Sequence, residues 1–356
     1  MNSTGVRRSG FPGGACLCAL AVALLFATTS RAQTASENEL KITVGPEDYQ
    51  AAASSTMVYR HAKPANTPAG RLLRAKESTS TKALQTNTSN DPGGILQYPG
   101  DVQYLGGPVV EFAQFHAIYM LPNGYCPIPT CWGDPEGFLG DLGKSNFIHL
   151  VDQYIGFFGG DRYTVGFRVK HNYTPPEVPL TDANVQAVVE AAAKASGAVG
   201  YTHIYHVFLP PGQDICFDTT FSECYSPDNE ATFFFCGYHF SVDFPNVGHV
   251  LYSVQPYQNV PGCQVRPGTP NGELIDSTDN TLNHESFEAI SDPDGNAWIN
   301  NAAIVLLGEE ISDECSFETV IGSNAYYNPP SFQIYDHSYA VQSIYSNTVH
   351  ACGTAP

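Results

Sequence analysis

Leu274 to Ile290, LIDSTDNTLNHESFEAI, is the stretch on which the fold turns. It contains neither Pro nor Gly and is followed by Ser291-Asp292-Pro293, so it is predicted to be one helix that stops there. His284 and Glu288 stand four apart and therefore share one face, one turn above the other. An imidazole and a carboxylate so placed aim at one point, and both are good ligands for a divalent cation. Glu285 is rotated by about 100° from His284, the offset at which the Glu of an HExxH helix acts as general base. Phe287 is expected to face the core opposite Glu285, with Ala289 and Ile290 seating the helix.

Two ligands need a third. The downstream run Gly308-Glu309-Glu310-Ile311-Ser312-Asp313 offers Glu310 or Asp313. The reading takes Glu310 as the third ligand and Asp313 as the group that orients a ligand. His239 is an auxiliary candidate: it could point into the cleft, or hydrogen-bond a loop carbonyl as an ordinary buried histidine. Two carboxylates weaken the Lewis acidity of a bound metal and admit manganese or calcium beside zinc. The expected cofactor is thus one divalent metal, zinc first. The plain alternative is a solvated helix face that happens to carry His284, Glu285 and Glu288.

Around this helix the chain alternates. Strands are predicted over Pro108–Met120, Tyr163–Lys170, Tyr201–Leu209, Ala231–Phe240, Gly248–Val254, Ala302–Leu307 and Phe332–Tyr345. Helices are predicted over Gly137–Tyr154 and, after a Thr181 N-cap, over Asp182–Ala195. The expected class is α+β: a mixed, largely antiparallel sheet with packed helices, zincin-like and stabilised by disulfides. The zincin comparison is analogy at the level of fold.

Arg7 and Arg8, the apolar run Ala15–Ala27 and Ser30-Arg31-Ala32 read as a signal peptide over 1–32. Residues 33–95 are rich in Ser, Thr, Ala and Asn and read as a flexible linker or prosegment. A single α+β domain is expected over 96–356. The net charge is -19, with 16 Lys+Arg against 35 Asp+Glu. The predicted leader holds three of those arginines and no acid, so its removal makes the chain more acidic still. No basic face is available, so no nucleic-acid partner is expected, nor any membrane insertion after signal cleavage.

Of 10 Cys, Cys16 and Cys18 fall in the leader. An even number then remains in a chain expected to be secreted, extracellular or periplasmic, and no CxxC occurs among them. Nearness in sequence suggests Cys126–Cys131, Cys216–Cys224, Cys236–Cys263 and Cys315–Cys352.

Four short stretches resemble the exordium or phosphate-induced protein family of plants and its bacterial relatives. Gly106-Gly107-Pro108-Val109 resembles that family's entry to its first strand. The block His284-Glu285, Glu288, Asp292-Pro293, Ala297-Trp298, Glu310-Ile311, Asp313 and Cys315 is similar to its His-Glu-x-x-Glu block. Gln342 to Asn347 with Cys352 looks like its closing strand, and Cys236-Gly237-Tyr238-His239 like one of its turns. The similarity spans about residues 100–356, with long inserts, and the His-Glu-x-x-Glu block is its specific part. It implies a secreted protein, linked in plants to cell-wall-associated growth, whose bacterial members look like degenerate metallopeptidases.

Two functions are therefore expected to compete. One is a secreted metal-dependent hydrolase, a zinc metallopeptidase acting on a peptide or extracellular polymer. The other is a non-catalytic extracellular or cell-surface binding module of the exordium-like kind. No GxSxG, GxxxxGK[ST] or GxGxxG is present to support serine-nucleophile or nucleotide chemistry.

Overall fold

In the computed structural model, residues 38–45, 60–62, 101–300, 310–316, 320–321 and 326–356 are described. Asn38–Pro356 forms one compact unit. The strand expected over Ala302–Leu307 and the signal peptide lie outside the described residues.

A seven-stranded sheet organises this unit. Its strands are β1 (Glu39–Leu40), β2 (Arg60–Ala62), β3 (Ala113–Pro122), β4 (Tyr163–Tyr173), β5 (His203–Phe208), β6 (Gly237–Phe244) and β7 (Gly248–Gln255). Their order is β1-β4-β3-β5-β7-β6-β2. The pairs β1/β4, β3/β4, β3/β5 and β5/β7 are parallel; only β6/β7 and β2/β6 are antiparallel.

The expectation of a largely antiparallel sheet is therefore corrected to a mixed α/β architecture in which parallel pairing prevails. The reason lies in burial. Strands β3 and β5 are buried on both faces almost along their length, so their apolar runs carry no alternation to read. Helices cover both sides. Helix α1 (Pro135–Lys144) and helix α3 (Glu273–Ser291) pack with Phe115, Tyr119, Phe208 and Leu251 in one apolar cluster. Helix α2 (Asp182–Ser196) packs with Ile118, Val207, Val250 and Val254 in the other.

Local signals explain most element ends. Helix α2 starts at a capping box between Thr181 and Asn184 and stops at Gly197, whose φ of 72° is left-handed. The helix expected over Gly137–Tyr154 is broken: α1 ends at Lys144, a 3-10 turn covers Phe147–Val151, and a short helix covers Asp152–Ile155. Phe332–Tyr345 is a hairpin, Ser331–Ile334 with His337–Ala340, followed by a separate strand, Ile344–Ser346.

Residues 33–95 contribute two strands, β1 and β2, to opposite edges of the sheet. The folded body thus begins before the expected Leu96; neither strand is long enough to leave a periodic signal. All four expected cysteine pairs are disulfides: Cys126–Cys131, Cys216–Cys224, Cys236–Cys263 and Cys315–Cys352. Such bonds fit an oxidising compartment. Among the described residues no helix is long and apolar enough to cross a membrane.

The sheet also buries histidines as neutral groups. Burial pushes His206 and His116 down to about 3 and His171 to about 4. The unfolded chain, with histidine near 6.5, takes up these protons first. Their contribution to stability is thus complete above pH 6.5 and is lost as pH falls towards 3. Tm should fall from pH 7 to pH 4, and less steeply in His206→Gln, which has no proton to take up; equal slopes would contradict the assignment.

Candidate metal centre

Helix α3 is the expected helix, extended by one residue at each end. From Asp276 to Ser291 every residue is buried, although the sequence is mostly polar. A polar helix enclosed on all sides must find partners inside the protein. One face finds them in the segment Ala340–Gln342. Asp276 accepts from the Ala340 amide at 3.1 Å and Asn280 from the Gln342 amide at 2.8 Å. Asn283 donates to the Gln342 carbonyl at 3.2 Å. Further along the same face, turned away from Glu285, Phe287 packs against Phe147 at 4.8 Å between ring centres.

Next to the polar face lies a cluster of acids and imidazoles. His284 Nε2 is 3.1 Å from Glu288 Oε2 and 3.6 Å from Asp313 Oδ1. His239, on β6, reaches in from the sheet: its Nδ1 is 3.4 Å from Glu285 Oε2 and 3.7 Å from Glu288 Oε2. Two groups of three could hold a metal ion here, His284–Glu288–Asp313 and His239–Glu285–Glu288, and Glu288 belongs to both. All five side chains are buried.

The expected third ligand, Glu310, is not in either group. Its Oε1 lies 3.7 Å from His239 Nε2, on the far side of that ring. Asp313, expected to orient a ligand, lies instead in the first group, 3.6 Å from His284 Nε2. The cause is the short helix α4 (Asp313–Ser316), which starts directly over α3. Its first amide donates to Glu288 Oε1 at 3.0 Å, and Ser312 Oγ donates to the His284 carbonyl at 3.0 Å. The Cys315–Cys352 disulfide anchors α4 from the other side.

The partners of the two histidines fix which nitrogen faces the cluster. Gln342 donates through Nε2 to the Ser312 carbonyl at 2.8 Å, so its Oε1 is the atom that meets His284 Nδ1 at 3.2 Å. A carbonyl oxygen only accepts, so His284 carries its proton on Nδ1 when neutral. His239 Nε2 meets the Asp292 carbonyl at 3.2 Å and is fixed in the same way. Both rings then turn a bare lone pair towards carboxylates. That arrangement repels itself unless a cation or a proton lies between, and it is the usual support for a metal-binding histidine. Gln342 and the Asp292 carbonyl are functional partners that the sequence reading missed; no local signal marks a contact made from so far along the chain.

Electrostatics point the same way. Among the described residues, Glu285 and Glu288 form ion pairs with His239 and His284 and with no Lys or Arg. His284 Nε2, Glu285 Oε1 and Glu288 Oε2 have no hydrogen-bond partner despite complete burial. Burial works against a charged His284, yet Glu288, Glu285 and Asp313 push it up to about 10. Burial raises Glu285, against the pull that a protonated His239 would exert. Without a cation, the cluster must draw in protons to hold its charge. Buried carboxylates that lack a counter-ion are costly enough that the chemistry of the donor set, two imidazoles and several acids, fits a divalent ion.

Close packing of α3 on β6 depends on Gly237. A Cβ there would come within 2.7 Å of Thr281 Cγ2 and 2.9 Å of Glu285 Oε1. Two surface cavities, about 530 and 570 Å³, are lined by other residues, the first including His171 and Tyr173 and the second Glu111 and His203. Comparison with known proteins returns nothing: no family model, no curated protein and no solved structure matches this chain.

Proposed function

We propose that this chain is a secreted, metal-dependent hydrolase of the metallopeptidase type. His284, Glu288 and Asp313 would hold one zinc ion. The observation that carries the proposal is that two imidazole lone pairs are buried against Glu285 and Glu288, which among the described residues form ion pairs with no Lys or Arg. Two imidazoles in the cluster favour zinc over calcium, which prefers oxygen ligands.

A cation held there would polarise a carbonyl and bring the pKa of water to about 7. Glu285 follows His284 directly, and its Oε2 lies 3.4 Å from His239 Nδ1. Its other oxygen, Oε1, has no partner and is the atom proposed to take the proton from the attacking water. Gln342, itself held by the Ser312 carbonyl, would keep His284 in its ligating orientation. The peptide or extracellular-polymer substrate rests on this reaction class and on the four disulfides, which suit an exported chain.

One observation favours a second reading. Exposure of His284 is 1% and of Glu285 and Glu288 0%, whereas a catalytic zinc keeps an open coordination position. On that reading the metal is structural and the chain is a non-catalytic extracellular binding module, as its resemblance to the exordium family allows. Glu285→Gln separates the two. For the hydrolase, the variant retains His284-site metal and its hydrolysis of a casein or mixed-peptide substrate falls by about 10²–10⁴-fold, the size of a general-base contribution. If the wild type holds metal but cleaves no peptide substrate, the hydrolase reading fails and the structural one stands.

A further inference from the structure

Neither group of three contains both histidines. With metal–ligand bonds of ~2.0–2.2 Å, tetrahedral ligand atoms lie roughly 3.3–3.6 Å apart. The edges of the first group, 3.1 and 3.6 Å, and of the second, 3.4 and 3.7 Å, each suit such a polyhedron. One ion is not placed to serve both, because the ligand atoms of the two groups do not all lie within 4.8 Å of one another; beyond the shared Glu288, His284 has Asp313 and His239 has Glu285. We infer that the centre binds two divalent cations, the second held by His239 Nδ1, Glu285 and Glu288, with Glu288 bridging the two.

Three observations carry this beyond the first metal position. The outer nitrogen of His239 is engaged by the Asp292 carbonyl, so Nδ1 presents its lone pair to Glu285 and Glu288. Glu285 Oε1 and Glu288 Oε2, both fully buried, have no hydrogen-bond partner. The charge agrees: among the described residues the buried Glu285 and Glu288 form ion pairs only with the two imidazoles, and a second divalent ion would offset what the first leaves. Carboxylate-bridged ions about 3.5–4 Å apart are a known arrangement for hydrolytic metals.

The inference rests on the metal reading of the first group and not on hydrolysis. It adds a regulatory consequence. The second cation engages Glu285, the proposed proton acceptor, so occupancy of this position withdraws the base. Activity should rise with the first equivalent of metal and fall as the second binds.

The test is equilibrium dialysis of the full chain against zinc, with metal counted per chain, and low-temperature electron paramagnetic resonance of the manganese-loaded protein. Two ions per chain in the wild type, one in His239→Ala, and a spin-coupled manganese pair are expected. One ion per chain with an isolated-manganese spectrum overturns the second position and leaves the first intact. No bound ion overturns both. The spectrum needs no variant, so a failure of His239→Ala to fold does not block the decision.

Discussion

If the proposed centre holds its divalent cation, chelation is expected to lower the Tm of the folded chain by about 8 °C or more. The figure follows from linkage. An ion present at 1,000 times its Kd stabilises the folded state by about 4.1 kcal/mol. In a large domain each kcal/mol moves Tm by roughly 2 °C. The physical cause is local: removing the ion leaves Glu285 and Glu288 in a dry interior with two histidines as their only ionic partners among the described residues. Differential scanning calorimetry of metal-loaded and chelated protein measures the shift. Superimposable transitions would mean that the cluster is satisfied by protons alone.

Glu288→Gln is expected to have the second large effect. Glu288 is common to both groups of three, and its Oε1 accepts the Asp313 amide that starts α4. The amide side chain preserves shape and can still accept that bond, but contributes a far poorer ligand. Metal affinity should fall by more than the about 10–100-fold typical of losing a group behind the ligands. Stability should move the other way when metal is absent. The variant removes a buried charge without opening a cavity, so chelated Glu288→Gln should melt no lower than chelated wild type. A variant that binds metal normally, or that melts well below the chelated wild type, would show that Glu288 is a structural hydrogen-bond acceptor only.

The helix and the shared face of His284 and Glu288 were legible because they obey a local rule. His284 and Glu288 share a face by helical spacing alone, and the Asp292-Pro293 stop is written next to them. The strands were legible as apolar runs, but their direction was not. A strand such as Ala113–Pro122, buried on both faces, looks the same whether its neighbours run parallel or antiparallel. The choice between Glu310 and Asp313 was not legible for a related reason. Three residues separate them, and only the packing of α4 on α3 decides which one turns inward. His239 was legible only as an auxiliary candidate, whereas Gln342 arrives from a distant part of the chain and nothing in its immediate sequence marks it as a partner of His284. Gly237 is the exception in hindsight: a glycine two residues before His239 marks where a helix approaches a strand too closely for a Cβ.

The fold also bears on function through burial. Helix α3 lies under one face of the sheet, and β2, drawn from the Ser/Thr/Asn-rich N-terminal region, pairs with Gly237–His239 at the edge beside the centre. The same strand that carries His239 is thereby covered along its outer side. Such a setting suits tight metal retention.

Metal content of the chain purified without chelator tests the account most directly. Inductively coupled plasma mass spectrometry should find at least one equivalent of a transition-metal dication, zinc foremost, retained through gel filtration. A well-folded, monodisperse protein that carries no such ion, and takes none up on dialysis against zinc or manganese, would contradict the claim that His239, His284, Glu285, Glu288 and Asp313 form a metal centre.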